Sequence, residues 1–89
     1  MKQKERELWI LYSFVVVSTP KTIIVKLLRG KPLTPTQIQR ETKLNLSHIS
    51  RLLKGLKEKD IVECLNPEQR KGKLYSLTEK GSWIYDHLK

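Results

Sequence analysis

The middle of the chain contains two predicted helices joined by a link of two residues, and this spacing restricts the possible folds more than any other feature. Residues 34–37 read Thr-Pro-Thr-Gln, with a threonine that can cap a helix, proline at its first position and glutamine at its third. This capping box predicts a helix over residues 35–43. Asn45 can cap a further helix over residues 46–59, so that only Leu44 and Asn45 separate the two. So tight a joint sets the helices across one another and makes the second one project a face.

The second of these helices, residues 46–59, is amphipathic. At about 100° per residue its apolar side chains fall within one arc, which contains Leu46, Ile49, Leu52, Leu53 and Leu56. The opposite arc contains Ser47, Arg51, Lys54 and Glu58, with His48 and Ser50 on the flanks. We therefore expect the apolar arc to pack inside the domain and the polar arc to face outward.

Capping signals predict a helix on each side of this pair. Ser18 or Thr19, followed by a proline, begins a helix over residues 20–29, which a glycine ends. Thr78 begins a last helix that ends near Leu88. The apolar residues of that helix form a small packing face made of Trp83, Ile84, Tyr85 and Leu88.

Residues 61–65 and 73–77 suit β-strands, and the loop between them carries several basic residues. They predict a hairpin with a basic tip, the wing, over residues 66–73. Helix, helix, short turn, helix and hairpin are the order of a winged helix-turn-helix, a mainly α fold with a small β-hairpin (α+β). We expect a single domain over residues 1–89, divided into an N-terminal dimerisation segment (1–18), the helix-turn-helix with its wing (19–78) and a C-terminal helix (79–89).

Residues 8–17 (LWILYSFVVV) form an almost uninterrupted apolar run. Ten residues are too few to span a bilayer as a helix, which takes about 20. The basic residues ahead of the run resemble the start of a signal peptide, but Glu5 and Glu7 interrupt the positive region, so we expect a folded segment. Residues 5–17 suit a helix, although the valine triplet also allows a strand. A helix that is apolar on all sides has more apolar surface than one small domain can bury, so we expect a second chain to cover part of it.

Charge and composition point to a polyanionic partner. The 89 residues contain 18 Lys and Arg against 9 Asp and Glu, a formal net charge of +9, and a small basic domain of this kind is typical of nucleic-acid binding. Cys64 is the one cysteine, which excludes an internal disulfide framework, and its place in a predicted strand favours an inert thiol over a redox switch. Cys64, His48 and His87 are too dispersed to bind a metal.

No spacing of catalytic side chains is apparent, so we expect no enzyme and no cofactor. We also expect no membrane partner and no small-molecule ligand. The expected location is the cytoplasm, in association with the nucleoid.

Four groups of residues resemble the framework of small winged-helix transcription regulators of the MarR/ArsR type, notably their archaeal members. They are Thr34-Pro35-x-x-Ile38, Leu44-x-Leu46-Ser47-x-Ile49-Ser50-Arg51-x-Leu53-x-x-Leu56, Ile61-Val62 and Tyr75-x-Leu77-Thr78-x-x-Gly81, within about residues 20–82. Two positions depart from the pattern: Lys43 stands where glycine is common in the turn, and Asp60 where glycine often ends the recognition helix. A non-glycine residue in a left-handed conformation costs roughly 1 kcal/mol, which a folded domain can tolerate.

The resemblance implies a homodimer that binds double-stranded DNA and regulates transcription. The first turns of helix 46–59 would read bases in the major groove through Ser47, His48, Ser50 and Arg51. The preceding helix and the wing would contact the DNA backbone through Thr36, Gln37, Arg70, Lys71 and Lys73, and Lys54, farther along the polar arc, is expected to meet a phosphate as well. The terminal helices would form the dimer, for which we expect contacts from Leu8, Trp9, Leu11, Tyr12, Val15, Trp83, Ile84 and Leu88.

Several alternatives stay open from sequence alone. Arg51 could bind a base or a phosphate, and His48 suits a polar position at the edge of the DNA better than a base contact. The whole chain could instead be a non-specific chromatin-type DNA binder or a module that binds proteins. The basic residues on helix 46–59 and on the wing favour DNA over a protein partner.

Overall fold

The computed structural model describes residues 2–88, which form five helices and a two-stranded β-hairpin. The helices are α1 (Lys2–Val16), α2 (Thr19–Leu28), α3 (Pro35–Thr42), α4 (Leu46–Glu58) and α5 (Glu79–His87), and the strands are β1 (Val62–Cys64) and β2 (Tyr75–Leu77). This order confirms the predicted winged helix-turn-helix of the α+β class. The apolar N-terminal segment, which allowed either helix or strand, is helical. Positions 1 and 89 of the predicted domain lie outside the described residues.

Four of the five helices begin at a side-chain cap that the sequence predicts, namely Ser18, Thr34, Asn45 and Thr78. In each, the side-chain oxygen accepts a hydrogen bond from the backbone N–H three residues later, at 2.8 to 3.3 Å. A cap of this kind stabilises a helix by about 1 kcal/mol because it satisfies an otherwise unpaired donor. Caps are local features, and the helix bounds accordingly agree with the predicted ones to within one residue for α2, α3, α4 and α5.

The strands of the wing pair antiparallel, with Val62 opposite Leu77 and Cys64 opposite Tyr75. Leu33 forms an isolated antiparallel bridge to Tyr75 of β2. The Leu33 N–H donates to the Tyr75 carbonyl at 3.0 Å, and the Tyr75 N–H donates to the Leu33 carbonyl at 2.9 Å. The wing is thereby attached to the segment that leads into α3. Both strands are shorter than predicted.

The two non-glycine residues at the predicted left-handed positions adopt that conformation, with φ of 66° at Lys43 and 61° at Asp60. After Asp60, the Ile61 N–H donates to the Leu56 carbonyl and the Asp60 N–H to the Lys57 carbonyl, both at 2.9 Å, which is a Schellman closure of α4. Ile61 and Leu56 are both buried in the core, which supplies the hydrophobic contact typical of this motif. Ile61 therefore belongs to the closure that follows α4, and β1 starts at Val62, one residue later than predicted.

One hydrophobic core joins all five helices and the wing. It consists of Leu11, Val15, Ile24, Val25, Leu28, Leu33, Ile38, Ile49, Leu52, Leu53, Leu56, Ile61, Val62 and Ile84. α2 packs against each of the other four helices and against β2, so it connects the terminal helices to the helix-turn-helix.

Four of the predicted dimer contacts belong to the interior of the protomer. Val15 and Ile84 have no exposed surface, and Leu8 and Leu11 retain 9% and 7%. The reason is that α1 packs against α2 and α5 of the same chain, which the apolar pattern alone does not reveal. These four residues therefore offer little or no surface to a second chain, and their part in a dimer stays a prediction.

The corner between α1 and α2 is sharp, with 112° between the two axes. Two hydrogen bonds to the Val15 carbonyl hold it, from the Ser18 N–H at 3.1 Å and the Thr22 hydroxyl at 3.2 Å. In the described part of the chain no single helix is long and apolar enough to cross a membrane, and the pair Lys4–Val16 and Thr19–Leu28 reaches that length and apolarity only together, across this bend.

Gly81 sets the position of α5. A Cβ at this residue would overlap the Ile61 carbonyl oxygen and press on the Leu77 side chain. The Thr78 hydroxyl, which caps α5, also lies 2.6 Å from the Asp60 carbonyl oxygen. The start of α5 is therefore packed directly on residues 60–61, which link α4 to β1.

Candidate nucleic-acid interface

α4 projects a polar face away from the core. Its buried residues are Ile49, Leu52, Leu53 and Leu56, whereas the exposed ones on the opposite side include Ser47, Ser50, Arg51 and Lys54. His48 is half-buried on the flank. Three of the four residues predicted to read bases thus share one exposed surface, and His48 lies at its margin.

The first turn of α3 lies beside the start of α4 and is organised by its capping box. The Thr34 N–H donates to Gln37 Oε1 at 2.8 Å, and the Gln37 N–H donates to Thr34 Oγ1 at 3.2 Å. Because Gln37 Oε1 is used within the helix, contact with a phosphate falls to the amide NH2 of this side chain. Thr36 is exposed in the same turn and is better placed than Gln37 to meet a phosphate.

Asn66 organises the loop of the wing. Its Oδ1 accepts a hydrogen bond from the Leu74 N–H at 2.7 Å, and its Nδ2 donates to the Gly72 carbonyl at 3.1 Å. Gly72 has a φ of 69°, a left-handed conformation that suits glycine. The loop closed in this way carries the three predicted wing cations, of which two are exposed and the third is half-buried: Arg70, Lys71 and Lys73.

A cleft lies between the wing and the first turns of α3 and α4, and we call it the wing cleft. It is lined by Thr34, Pro35, Thr36, Leu46, Ser50, Arg70, Lys71, Gly72, Lys73 and Tyr75. The wing cleft therefore brings together five of the predicted site residues, whereas Ser47, Arg51 and Lys54 are not among its lining residues. Cations on one wall and hydroxyl groups on the other suit a sugar-phosphate backbone.

Five lining residues of the wing cleft are absent from the predicted site, among them Leu46 and Tyr75. Periodicity assigns Leu46 to the buried arc of α4, but 41% of it is exposed. The sequence indicates Tyr75 only as a strand residue of the family framework. Burial raises the pKa of the Tyr75 phenol above its ordinary value of 10.0, and the neighbouring Cys64 raises it further. Like an ordinary phenol, Tyr75 is protonated at neutral pH and is able to donate a hydrogen bond.

A second surface, on α1 and α5, is aromatic and apolar. Trp9 packs edge-to-face on Tyr12, Trp83 and His87 with ring centroids 5.2, 5.0 and 5.2 Å apart. The Trp83 and His87 rings are stacked at 3.8 Å. The chain also exposes apolar side chains that are not among the predicted dimer contacts, namely Ile10, Val16 and Val17 on or just after α1 and Ile23 on α2. Sequence periodicity does not single them out because α1 is apolar nearly all round.

The order of elements, the projecting face of α4 and the basic wing define the chain as a winged helix-turn-helix protein. Residues 19–89 match the family model described as winged helix-turn-helix, and the chain belongs to that family. Among curated protein sequences, none matches the chain significantly.

Solved structures extend this assignment. MarR from E. coli, in a mutant form complexed with operator DNA, is 26% identical, with a TM-score of 0.71 over 96% of this chain and 62% of that one. Wild-type ZitR from Lactococcus lactis in complex with DNA is 23% identical, with a TM-score of 0.71 over 78% of this chain and 48% of that one. The transcriptional repressor BigR from Xylella fastidiosa is 16% identical, with a TM-score of 0.74 over 96% of this chain and 84% of that one. The predicted MarR-type fold is confirmed, and the chain spans about half the length of ZitR.

Proposed function

We propose that this protein is a transcription regulator that binds double-stranded DNA sequence-specifically as a homodimer. The observation that carries the proposal is the wing cleft, which brings the first turns of α3 and α4 together with the basic wing, beside the exposed polar face of α4. A helix with polar first turns fits the major groove, and a wing beside it reaches the adjacent backbone. MarR and ZitR, which share this fold, were both solved with DNA. Their complexes support the same task for this chain.

In this proposal Ser47, Ser50 and Arg51 read base edges. All three are exposed on the first two turns of α4, where side chains of a recognition helix reach bases. The Arg51 guanidinium suits a bidentate contact with the O6 and N7 atoms of guanine. His48 takes a polar contact at the edge of the DNA, in keeping with its half-buried position on the flank.

Phosphate contacts come from Thr36, Lys54, Arg70, Lys71 and Lys73, with a smaller role for the amide group of Gln37. These contacts position the protein without reading sequence, and each releases counterions from the DNA. A dimer with six to ten such contacts is expected to lose about 10³ to 10⁵ in affinity between 50 and 200 mM salt.

The dimer is proposed to form through the exposed aromatic and apolar surface of α1 and α5. Trp9, Tyr12, Trp83 and Leu88 remain from the sequence prediction, because each keeps accessible surface. Ile10 and Val17, which are 63% and 81% exposed, join them. Successive major grooves on one face of the duplex are about 34 Å apart, and a two-fold dimer has to hold its two recognition helices at that spacing.

Sedimentation tests the dimer. We expect a dimer at micromolar concentration for the wild type and a monomer for Ile10→Glu, because a charge at the centre of an apolar interface is left unpaired. Leu65→Glu is the matched control, since Leu65 is 50% exposed but lies on the wing. A monomeric wild-type protein, or a dimeric Ile10→Glu variant, would contradict this arrangement.

Two experiments test the function. The preferred site is first selected from a random library of duplexes, and the protein is then titrated with that site and with a scrambled duplex at several salt concentrations. We expect tighter binding of the preferred site, by about 10³ or more, and the steep salt dependence above. Equal affinity for both duplexes would indicate a chromatin-type binder. Absence of salt-dependent binding would indicate a module for a protein partner.

A further inference from the structure

Leu46 occupies an unusual place for a leucine. It is the first residue of α4 after the Asn45 cap, and it is 41% exposed even though its periodicity assigns it to the buried arc. It lies in the wing cleft together with Ser50 of the next turn and the wing residue Lys73. An isolated exposed leucine needs no explanation elsewhere on a protein, but this one lies among groups that are proposed to contact DNA.

The position of Leu46 restricts what it can contact. The first turn of a recognition helix meets base edges, so a side chain between Ser50 and the wing cations faces the groove floor or the sugar-phosphate wall. A leucine offers no hydrogen bond, and placing it over the donor and acceptor groups of guanine, adenine or cytosine leaves those groups unpaired. Thymine alone among the four bases presents an apolar group in the major groove, its C5 methyl.

We propose that Leu46 is a specificity-determining residue that contacts the C5 methyl group of one thymine in each half-site. The proposal rests on the proposed function, since it names a base preference of the same DNA-binding surface. Burial of one methyl group is worth about fourfold in affinity (~0.8 kcal/mol) per half-site. Two half-sites of a dimer together give about 15-fold.

Replacement of thymine by deoxyuridine tests this contact, because it removes the methyl group and keeps every hydrogen-bonding group of the base. Each thymine of the preferred site is replaced in turn, symmetrically in both half-sites, and the wild-type protein is titrated against each duplex. We expect one position at which deoxyuridine weakens wild-type binding about 15-fold. At that position Leu46→Ala is expected to bind both duplexes alike, and Leu46→Met to keep part of the preference.

Leu65→Ala is the matched control, since it makes the same substitution at a leucine that is 50% exposed and does not line the wing cleft. It is expected to keep the full preference for thymine, and circular dichroism checks that each variant is folded. Sequence-selective binding with equal affinity for thymine and deoxyuridine at every position overturns this inference alone. An unchanged preference in Leu46→Ala does the same. Absence of sequence-selective binding by the wild type overturns the proposed function and this inference together.

Discussion

Replacement of Asn66 by alanine is expected to loosen the wing while the rest of the domain stays folded. The change removes the hydrogen bonds from the Leu74 N–H to Asn66 Oδ1 (2.7 Å) and from Asn66 Nδ2 to the Gly72 carbonyl (3.1 Å). At about 1 kcal/mol each, their removal favours opening of the loop by about 2 kcal/mol. The population of the open wing then rises about 30-fold. Arg70 and Lys71 are no longer held in fixed positions as a result.

Hydrogen exchange followed by NMR measures this opening at the Leu65 amide, which donates to the Leu74 carbonyl across the wing at 2.8 Å and keeps its acceptor in the variant. We expect protection of the Leu65 amide to fall about 30-fold in Asn66→Ala. The slope of DNA affinity against salt is expected to fall by about one for each phosphate that the wing no longer binds. Gln69→Ala is the control, because the exposed Gln69 takes part in the loop through its backbone N–H, which the substitution keeps. An unchanged protection of the Leu65 amide in Asn66→Ala would refute the role assigned to this side chain.

Three further predictions concern base recognition and stability. Arg51→Ala is expected to cost about 1 to 3 kcal/mol of binding free energy on the preferred site and to remove discrimination at one base per half-site. Lys71→Ala is expected to weaken binding to all duplexes alike and to lower the salt slope by about one, and titration against single-base variants of the site measures both effects. Gly81→Ala is expected to lower the free energy of unfolding in urea by about 1 to 3 kcal/mol, because its Cβ overlaps the Ile61 carbonyl oxygen. Lys43→Gly is expected to raise that free energy by roughly 1 kcal/mol by relieving a left-handed residue, with an unchanged urea slope.

The exposed face of α4 shows how much of the structure helical periodicity predicts. The separation of Ser47 and Arg51 from Ile49 and Leu53 follows from helical periodicity once the helix is placed, and the structure agrees with it. The same periodicity fails for Leu46. A residue in the first turn has no preceding turn to cover it, so its exposure depends on which neighbouring element packs against the helix start.

Sequence by itself determined the elements and their order. Caps such as Thr34 and Asn45 act through atoms a few residues apart, so they can be recognised without knowledge of the fold. The joint between α3 and α4 is short for the same reason, although it has three residues in the structure and not two.

Only the tertiary structure decided which apolar side chains remain exposed. Val15 and Trp9 belong to the same apolar run, yet Val15 has no exposed surface and Trp9 is 44% exposed, because α2 and α5 cover one side of α1. The role of Asn66 was likewise decided at long range, through bonds to residues on the far side of the wing loop. Burial depends on partners that are distant in sequence, and the periodicity of one helix carries no information about them.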